Sequence, residues 1–216
     1  MINSSKSTKN KILVIAPHPD DEIIGCGGTI AKAIENNNNV YIQYLSSGDR
    51  IEKRREEEAK KVCSYMKITD CQFLRLKDQT FKVSVQNISK IIKYWKKIKP
   101  DFIYINHDLD ADYEHKISYQ IISQAYWRYN INSNKKTKGL ILYEVHKPLQ
   151  AYNLVEDITK YIGIKMKAMS YYKSQLETSR IDLAIKGLNQ YRGLLHEQCD
   201  FAEVFAIKRF SSLFET

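Results

Sequence analysis

Alternation constrains this chain more than any other feature of its sequence. Apolar runs of strand length recur at 11–17, 40–46, 71–76, 101–106 and 139–145. The segments between them, 23–35, 51–66, 85–98 and 115–129, have helical length and period. Strand and helix in turn imply a mostly parallel sheet with helices on both faces, joined by right-handed crossovers. The expected class is α/β, a single-domain, Rossmann-like three-layer fold. The last third reads as two helices, 160–172 and 178–195, and a short strand near 204–209. Polar runs at 36–39 and 132–138 read as surface loops. Residues 1–10 are expected to be a flexible tail and 11–216 one domain, since 216 residues without a Pro/Gly/Ser-rich linker or a solenoid-period repeat suit a single unit.

Composition removes several function classes. Hydrophobic residues at 43% and charged residues at 27% allow a substantial core. No stretch approaches the ~18 to 20 apolar residues of a membrane span. The polar N-terminus leading straight into a strand is the wrong order for a secretory signal. The expected location is therefore cytoplasmic. Cys26, Cys63, Cys71 and Cys199 lack CxxC spacing, which points to reduced thiols rather than bridges or a zinc finger.

Strand one runs into Pro17-His18-Pro19-Asp20-Asp21-Glu22, then Gly25-Cys26-Gly27-Gly28-Thr29 and a helix. Open α/β sheets bind their ligands at the carboxyl ends of strands. The bland reading of Asp20 and Asp21 is helix capping and macrodipole compensation. A histidine flanked by prolines and followed by glycines weighs against it. A catalytic Zn²⁺ takes three protein ligands and keeps a fourth position for water. His18 and Asp21 can turn toward one ion while Asp20 reaches the water. The third ligand should come from the neighbouring strand, which in a doubly wound sheet is the fourth in sequence. That strand is followed by His107-Asp108-Leu109-Asp110-Ala111-Asp112-Tyr113-Glu114-His115, and His115, at the start of the next helix, is the chosen ligand.

These residues resemble the PIG-L/LmbE-like metal-dependent N-deacetylases, which remove acetyl groups from N-acetylglucosamine-type sugars. The resemblance rests on Ala16-Pro17-His18-Pro19-Asp20-Asp21-Glu22 with Gly25, Gly27, Gly28 and Thr29. It continues through Gly48, Arg55, Glu58-Ala59, the His115 region, Tyr143-Glu144-Val145, Val155-Glu156-Asp157-Ile158, Lys167, Ser174-Gln175, Tyr191-Arg192-Gly193 and Ala202-Glu203-Val204-Phe205, covering about 11–209. It implies that 11–216 is a deacetylase domain with His18, Asp21 and His115 as metal ligands and Asp20 as general base. The implied metal is Zn²⁺, with Fe²⁺ as the alternative for a two-histidine, one-carboxylate set. The implied partner is a small N-acetylated sugar, either simple or nucleotide- or phosphate-linked, and Arg55 and Arg192 are the expected substrate contacts.

One position departs from that pattern. Family members commonly carry a second catalytic histidine three residues before the third ligand, and here that residue is Asp112. Either Asp112 acts as a neutral acid, or Asp20 handles both proton transfers, or another histidine enters the site. His107 and His146 are the candidates, and His146 follows the fifth strand at the ligand-binding edge. His196, near a helix end, reads as a dipole partner or a surface residue.

Three other readings of the sequence compete with this one. The departure at Asp112 allows a poorly active or merely sugar-binding relative. The glycines after strand one superficially suit a dinucleotide-binding oxidoreductase, but GxGxxG is not present in order. The net charge of +9, from 34 Lys+Arg against 25 Asp+Glu, invites a nucleic-acid partner. Yet Ile91, Ile92, Trp95 and Ile98 give the basic segment 90–99 an amphipathic helical pattern, so its lysines read as a solvated face and no nucleic acid is expected. Sequence leaves the oligomeric state open.

Overall fold

In the computed structural model, which describes residues 9–48, 51–77, 82–196 and 199–210, β1 (Lys11–Ala16) is buried on both faces. Residues 1–8 of the expected tail lie outside the described residues. Side chains of a strand alternate between faces. Leu13 and Ile15 enter one core with α3 (Val85–Ile98) and α4 (Tyr113–Asn132), while Val14 and Ala16 enter another with α1 (Asp21–Glu35) and α2 (Glu52–Met66). Burial on both sides explains why the strand reads as a continuous apolar run.

The sheet has seven strands in the order β3-β2-β1-β4-β5-β7-β6. Its other members are β2 (Asn39–Tyr44), β3 (Asp70–Phe73), β4 (Phe102–Asn106), β5 (Gly139–Tyr143), β6 (Leu154–Asp157) and β7 (Ala202–Phe210). The first five strands are parallel, and β7 pairs antiparallel with β5 and with β6. β1 and β4 are neighbours across the point where strand order reverses, as expected, so the loops that leave them meet at one edge.

The C-terminal third departs from expectation. β6 is a strand that the reading missed, because its four residues are only half-buried and lack an apolar run. The expected helix at 160–172 is instead a 3₁₀ turn, Thr159–Tyr161, followed by α5 (Ile162–Met169) and, after a break, α6 (Lys173–Leu176). The break brings Tyr172 inward to hydrogen bond with Glu22, and Ser174 to donate through its backbone N–H and Oγ to Glu58. Tertiary contacts there override helical period. The helix expected at 178–195 is α7 (Ile181–His196).

A buried ion pair holds α1 from the side. Glu203 of β7 accepts from the N–H groups of Gly28 (2.9 Å) and Thr29 (2.8 Å), and from Lys165 Nζ (2.7 Å). Lys165, on α5, also donates to Ile24 O and to Asn189 Oδ1. An added Cβ at Gly25 would stand 2.2 Å from the Tyr143 ring, and one at Gly28 2.6 Å from Ile158. The glycines thus permit the close helix-sheet packing that lets Glu203 reach the α1 backbone.

Removing one member of a buried pair costs about 3–5 kcal/mol because the other charge is left uncompensated. Lys165→Met should therefore lower the melting temperature by on the order of 10 °C for a chain of this length. Thermal unfolding followed by circular dichroism checks this, and a shift under about 2 °C would remove the clamp from the account of stability.

Candidate metal centre

Two loops build the site. The first, after β1, places Asp20 at the N-cap position of α1 with φ 123°, a backbone conformation that non-glycine residues avoid and that costs energy to hold. The backbone carbonyl of Asp20 accepts from Ile23 and Ile24 N–H, but its carboxylate makes no cap. Glu22 supports this geometry. Its carboxylate accepts from Asp20 N–H (3.1 Å), Tyr44 OH (3.1 Å) and Tyr172 OH. Burial pushes Glu22 up to about 7 against those hydrogen bonds.

The second loop, after β4, leads into α4. Asp112 caps that helix, its Oδ1 accepting from the N–H groups of Glu114 (2.7 Å) and His115 (3.1 Å). The capping alternative, rejected for Asp20, thus holds for Asp112. Asp112, an expected catalytic group, commits one carboxylate oxygen to the cap of α4.

His18, Asp21 and His115 converge, with ligand atoms within 4.8 Å of one another. Among the described residues they are the group able to hold a metal ion. Asp21 Oδ2 lies 3.3 Å from His115 Nε2 and 3.7 Å from His18 Nδ1. Tetrahedral ligands at Zn–N distances of about 2.0–2.1 Å stand about 3.3–3.4 Å apart, which the Asp21–His115 pair matches and the Asp21–His18 pair exceeds by a few tenths of an ångström. His115 is fully buried, and neither of its ring nitrogens has an aligned hydrogen bond. A buried polar nitrogen without a partner is costly unless something else satisfies it, and a cation at Nε2 would do so.

A carboxylate stands behind each histidine. Glu114 Oε2 is 2.7 Å from His18 Nε2, and Asp110 Oδ2 is 3.4 Å from His115 Nδ1. Such partners fix ring orientation and raise ligand basicity. His18 is raised to about 9: burial lowers it, but Asp21 and Glu114 more than compensate. His115 is raised to about 11, with burial opposed by Asp21 and Asp110. Asp21 is held well below the usual carboxylate range, its burial outweighed by the two histidines. Asp20 is pushed up to about 8, first by burial and then by the adjacent Asp21 charge, with Arg55 pulling the other way. Arg55 sits beside it, one nitrogen 3.1 Å from Pro19 O and 3.4 Å from Asp20 Oδ1.

Known proteins can now be set beside this geometry. The family model described as PIG-L, GlcNAc-PI de-N-acetylase, matches residues 13–126, more than half of the chain. The chain belongs to the PIG-L family. It is 25% identical over 200 residues to the diacetylchitobiose deacetylase of Thermococcus kodakarensis, covering 81% of this chain and 73% of the relative. It is 26% identical over 189 residues to a probable N-acetyl-alpha-D-glucosaminyl L-malate deacetylase 2 of Bacillus subtilis, covering 78% and 85%. Among solved structures, the conserved protein TT1542 from Thermus thermophilus shares the fold at a TM-score of 0.84 and 22% identity, covering 95% of this chain and 97% of that one.

Around the PIG-L centre the remaining expected residues divide. The exposed His146 ring lies 4.8 Å, centroid to centroid, from that of His115, and its backbone N–H donates to Asp110. His107 is structural: Nε2 bonds Lys147 O and Nδ1 accepts from Leu109 N–H. Arg192, an expected substrate contact, is engaged inside the protein as a loop anchor. Its buried guanidinium pairs with Glu144 (2.8 Å), donates to Leu149 O and stacks over Tyr152. His196 ends α7, and its side chain lies outside the described residues. Glu114 and Asp110 were the residues missed. Their signal was the acidic run before His115, where a rule that metal-binding histidines need carboxylate partners points to carboxylates without saying which.

Because both histidines hold a proton well above neutrality, a cation must displace protons to bind, and binding strengthens as pH rises. Zn²⁺ titrated calorimetrically at pH 7 in buffers of different ionisation enthalpy should show proton release, reduced in His115→Ala. Binding without release would contradict the assignment.

Proposed function

We propose that this protein hydrolyses the N-acetyl group of an amino sugar or sugar conjugate, with Zn²⁺ as its metal and Fe²⁺ as the alternative the donor set accepts. The observation that carries the reading is Asp20, a buried carboxyl of raised pKa on a strained backbone next to a three-ligand set. Family membership and the two deacetylase relatives supply the substrate class. An ion held by His18, Asp21 and His115 supplies Lewis acidity toward the amide carbonyl and toward water.

The chain's own groups do the rest. Asp20 accepts the proton of the attacking water and returns it to the departing sugar nitrogen. An ordinary Asp is a weak base, and burial makes this one stronger, while the charge of a nearby cation favours its ionised form. His146 takes the role for which Asp112 is unsuited, facing the oxygen on which charge develops. Arg55 keeps Asp20 oriented, and its Nε, buried without an acceptor among the described residues, is the donor for a substrate oxygen or an anionic group on the sugar. All four cysteines are unbridged, which supports work in a reducing compartment such as the cytoplasm, and among the described residues no helix is long and apolar enough to cross a membrane.

Removing a general base costs typically 10²–10⁴-fold in rate. Asp20→Asn should lower acetate release from N-acetylated sugars by that factor while metal content, measured on the same sample, stays at the wild-type level. Full activity in this variant would end the base assignment, and lost metal would make Asp20 a ligand.

A further inference from the structure

Helix α7 packs inward through Ile185, Asn189 and Arg192, all buried. At about 100° per residue, the side pointing away from them carries Leu183, Gly187, Tyr191 and Leu194, with Ala184 and Leu195 along one edge and Lys186 and Gln190 along the other. The outward side of a surface helix is normally polar, and here it holds no charge. Leu183, Tyr191, Leu194 and Leu195 are each more than half exposed. Together they present roughly 400 Å² of apolar surface, the size at which an exposed patch usually serves as an interaction site. Gly187 stands at the centre of this stripe. Glycine inside a helix is destabilising relative to alanine, yet an added Cβ here would meet nothing within 4 Å, unlike those at Gly25 and Gly28. Packing within the chain does not require it. Along its Ala184 edge the stripe borders a half-open cavity of about 250 Å³, whose apolar walls include Ile181, Leu188, Val145 and Pro148.

We propose that this side of α7 is an interface between two copies of the chain, with the two α7 helices crossing antiparallel about a two-fold axis near Gly187. The inference does not depend on the amide-hydrolase reading. Self-complementarity selects a second copy as the occupant. Leu183 and Tyr191 lie four residues to either side of Gly187, so an antiparallel partner sets Leu183 of one copy against Tyr191 of the other, and the same contact repeats across the axis. Ala184 and Gly187 let the two backbones approach closely at the crossing. The Tyr191 ring of one copy then reaches the cavity mouth at Ala184 of the other, so each copy supplies both a projection and a recess. Area agrees with this occupant. The four large side chains give about half of the roughly 800 Å² that each partner contributes to a standard interface, and the cavity rim and the Lys186–Gln190 edge adjoin them. Charge agrees too. Copies of a chain with net charge +9 repel where their cations meet, and the centre of this stripe has none. An anionic membrane surface would instead call for a row of basic residues beside the apolar side, and among the described residues Lys186 is the one exposed cation of α7.

Sedimentation of the full chain at micromolar concentration tests the proposal. The wild type should have an even multiple of the mass of one chain. The double variant Leu183→Lys, Leu194→Lys should associate more weakly by on the order of a hundredfold, because each added charge enters the contact twice. Both leucines are exposed, so the variant should keep the wild-type circular dichroism spectrum. Gly187→Cys, where a side chain has open space, should form a covalent dimer with diamide that the wild-type chain, with its own four cysteines, does not form. A monomeric wild type overturns the interface, and so does an oligomer whose mass the two lysines leave unchanged. If the double variant does not fold, Gly187→Cys decides: a covalent dimer on a non-reducing gel supports the α7 contact, and its absence overturns it.

Discussion

Helix α1 is held where it is by a carboxylate that bonds its backbone from outside. Glu203 accepts from two mid-helix N–H groups and is balanced by Lys165, which reaches a carbonyl of the same helix. The first loop's place in the candidate centre depends on this seat, because Asp20 and Asp21 stand at the N-terminus of that helix. The pair also ties together segments distant in sequence, α1, α5, α7 and β7. Three glycines in one helix would cost about 1 kcal/mol each relative to alanine. They are tolerated because the close approach they allow brings the clamp and the Tyr143 ring into contact with α1.

With α1 seated, the centre is organised by pairing each histidine with its own carboxylate. Glu114 serves His18 and Asp110 serves His115, and both carboxylates come from the loop and helix start after β4. The first loop thus brings His18, Asp20 and Asp21 to the candidate centre, whereas the second brings His115 and both supporting carboxylates. Asp110 has a further role, since it also accepts from the His146 backbone and so links the third loop, after β5, to the same centre. Arg192 and Glu144 fasten that third loop from below. The charge excess of +9 has little part in this: the site is acidic, and one of the two arginines expected to meet substrate is an internal strut.

The fold was legible to the extent that burial on both faces leaves a mark on sequence. Five parallel strands and the helices between them announce themselves through continuous apolar runs and amphipathic period. β6 and the broken 160–172 helix did not, because an edge strand of mixed residues has no such pattern and the break answers to Glu22 and Glu58, more than a hundred residues away. The same division runs through the site. His18, Asp20, Asp21 and His115 stood out because unusual residue types crowded two strand ends that the topology makes neighbours.

Asp112 and Arg192 mark the boundary between what sequence determines and what only folding decides. Sequence by itself determined the α/β class, the strand pair whose loops meet, the crowding of candidate ligands at those loops and the aspartate at position 112. It could not say which of two aspartates at helix starts would cap its helix, because that depends on backbone angles: Asp20 stands at φ 123° with its N–H on Glu22 and its carboxylate uncommitted to the helix, while Asp112 stays extended and caps. Nor could it assign Glu114 to His18, set the His146 ring beside that of His115, or turn Arg192 inward to Glu144. Residue type and spacing carry chemistry along the chain, but partnership within hydrogen-bond reach is a property of three dimensions, set when the layers pack.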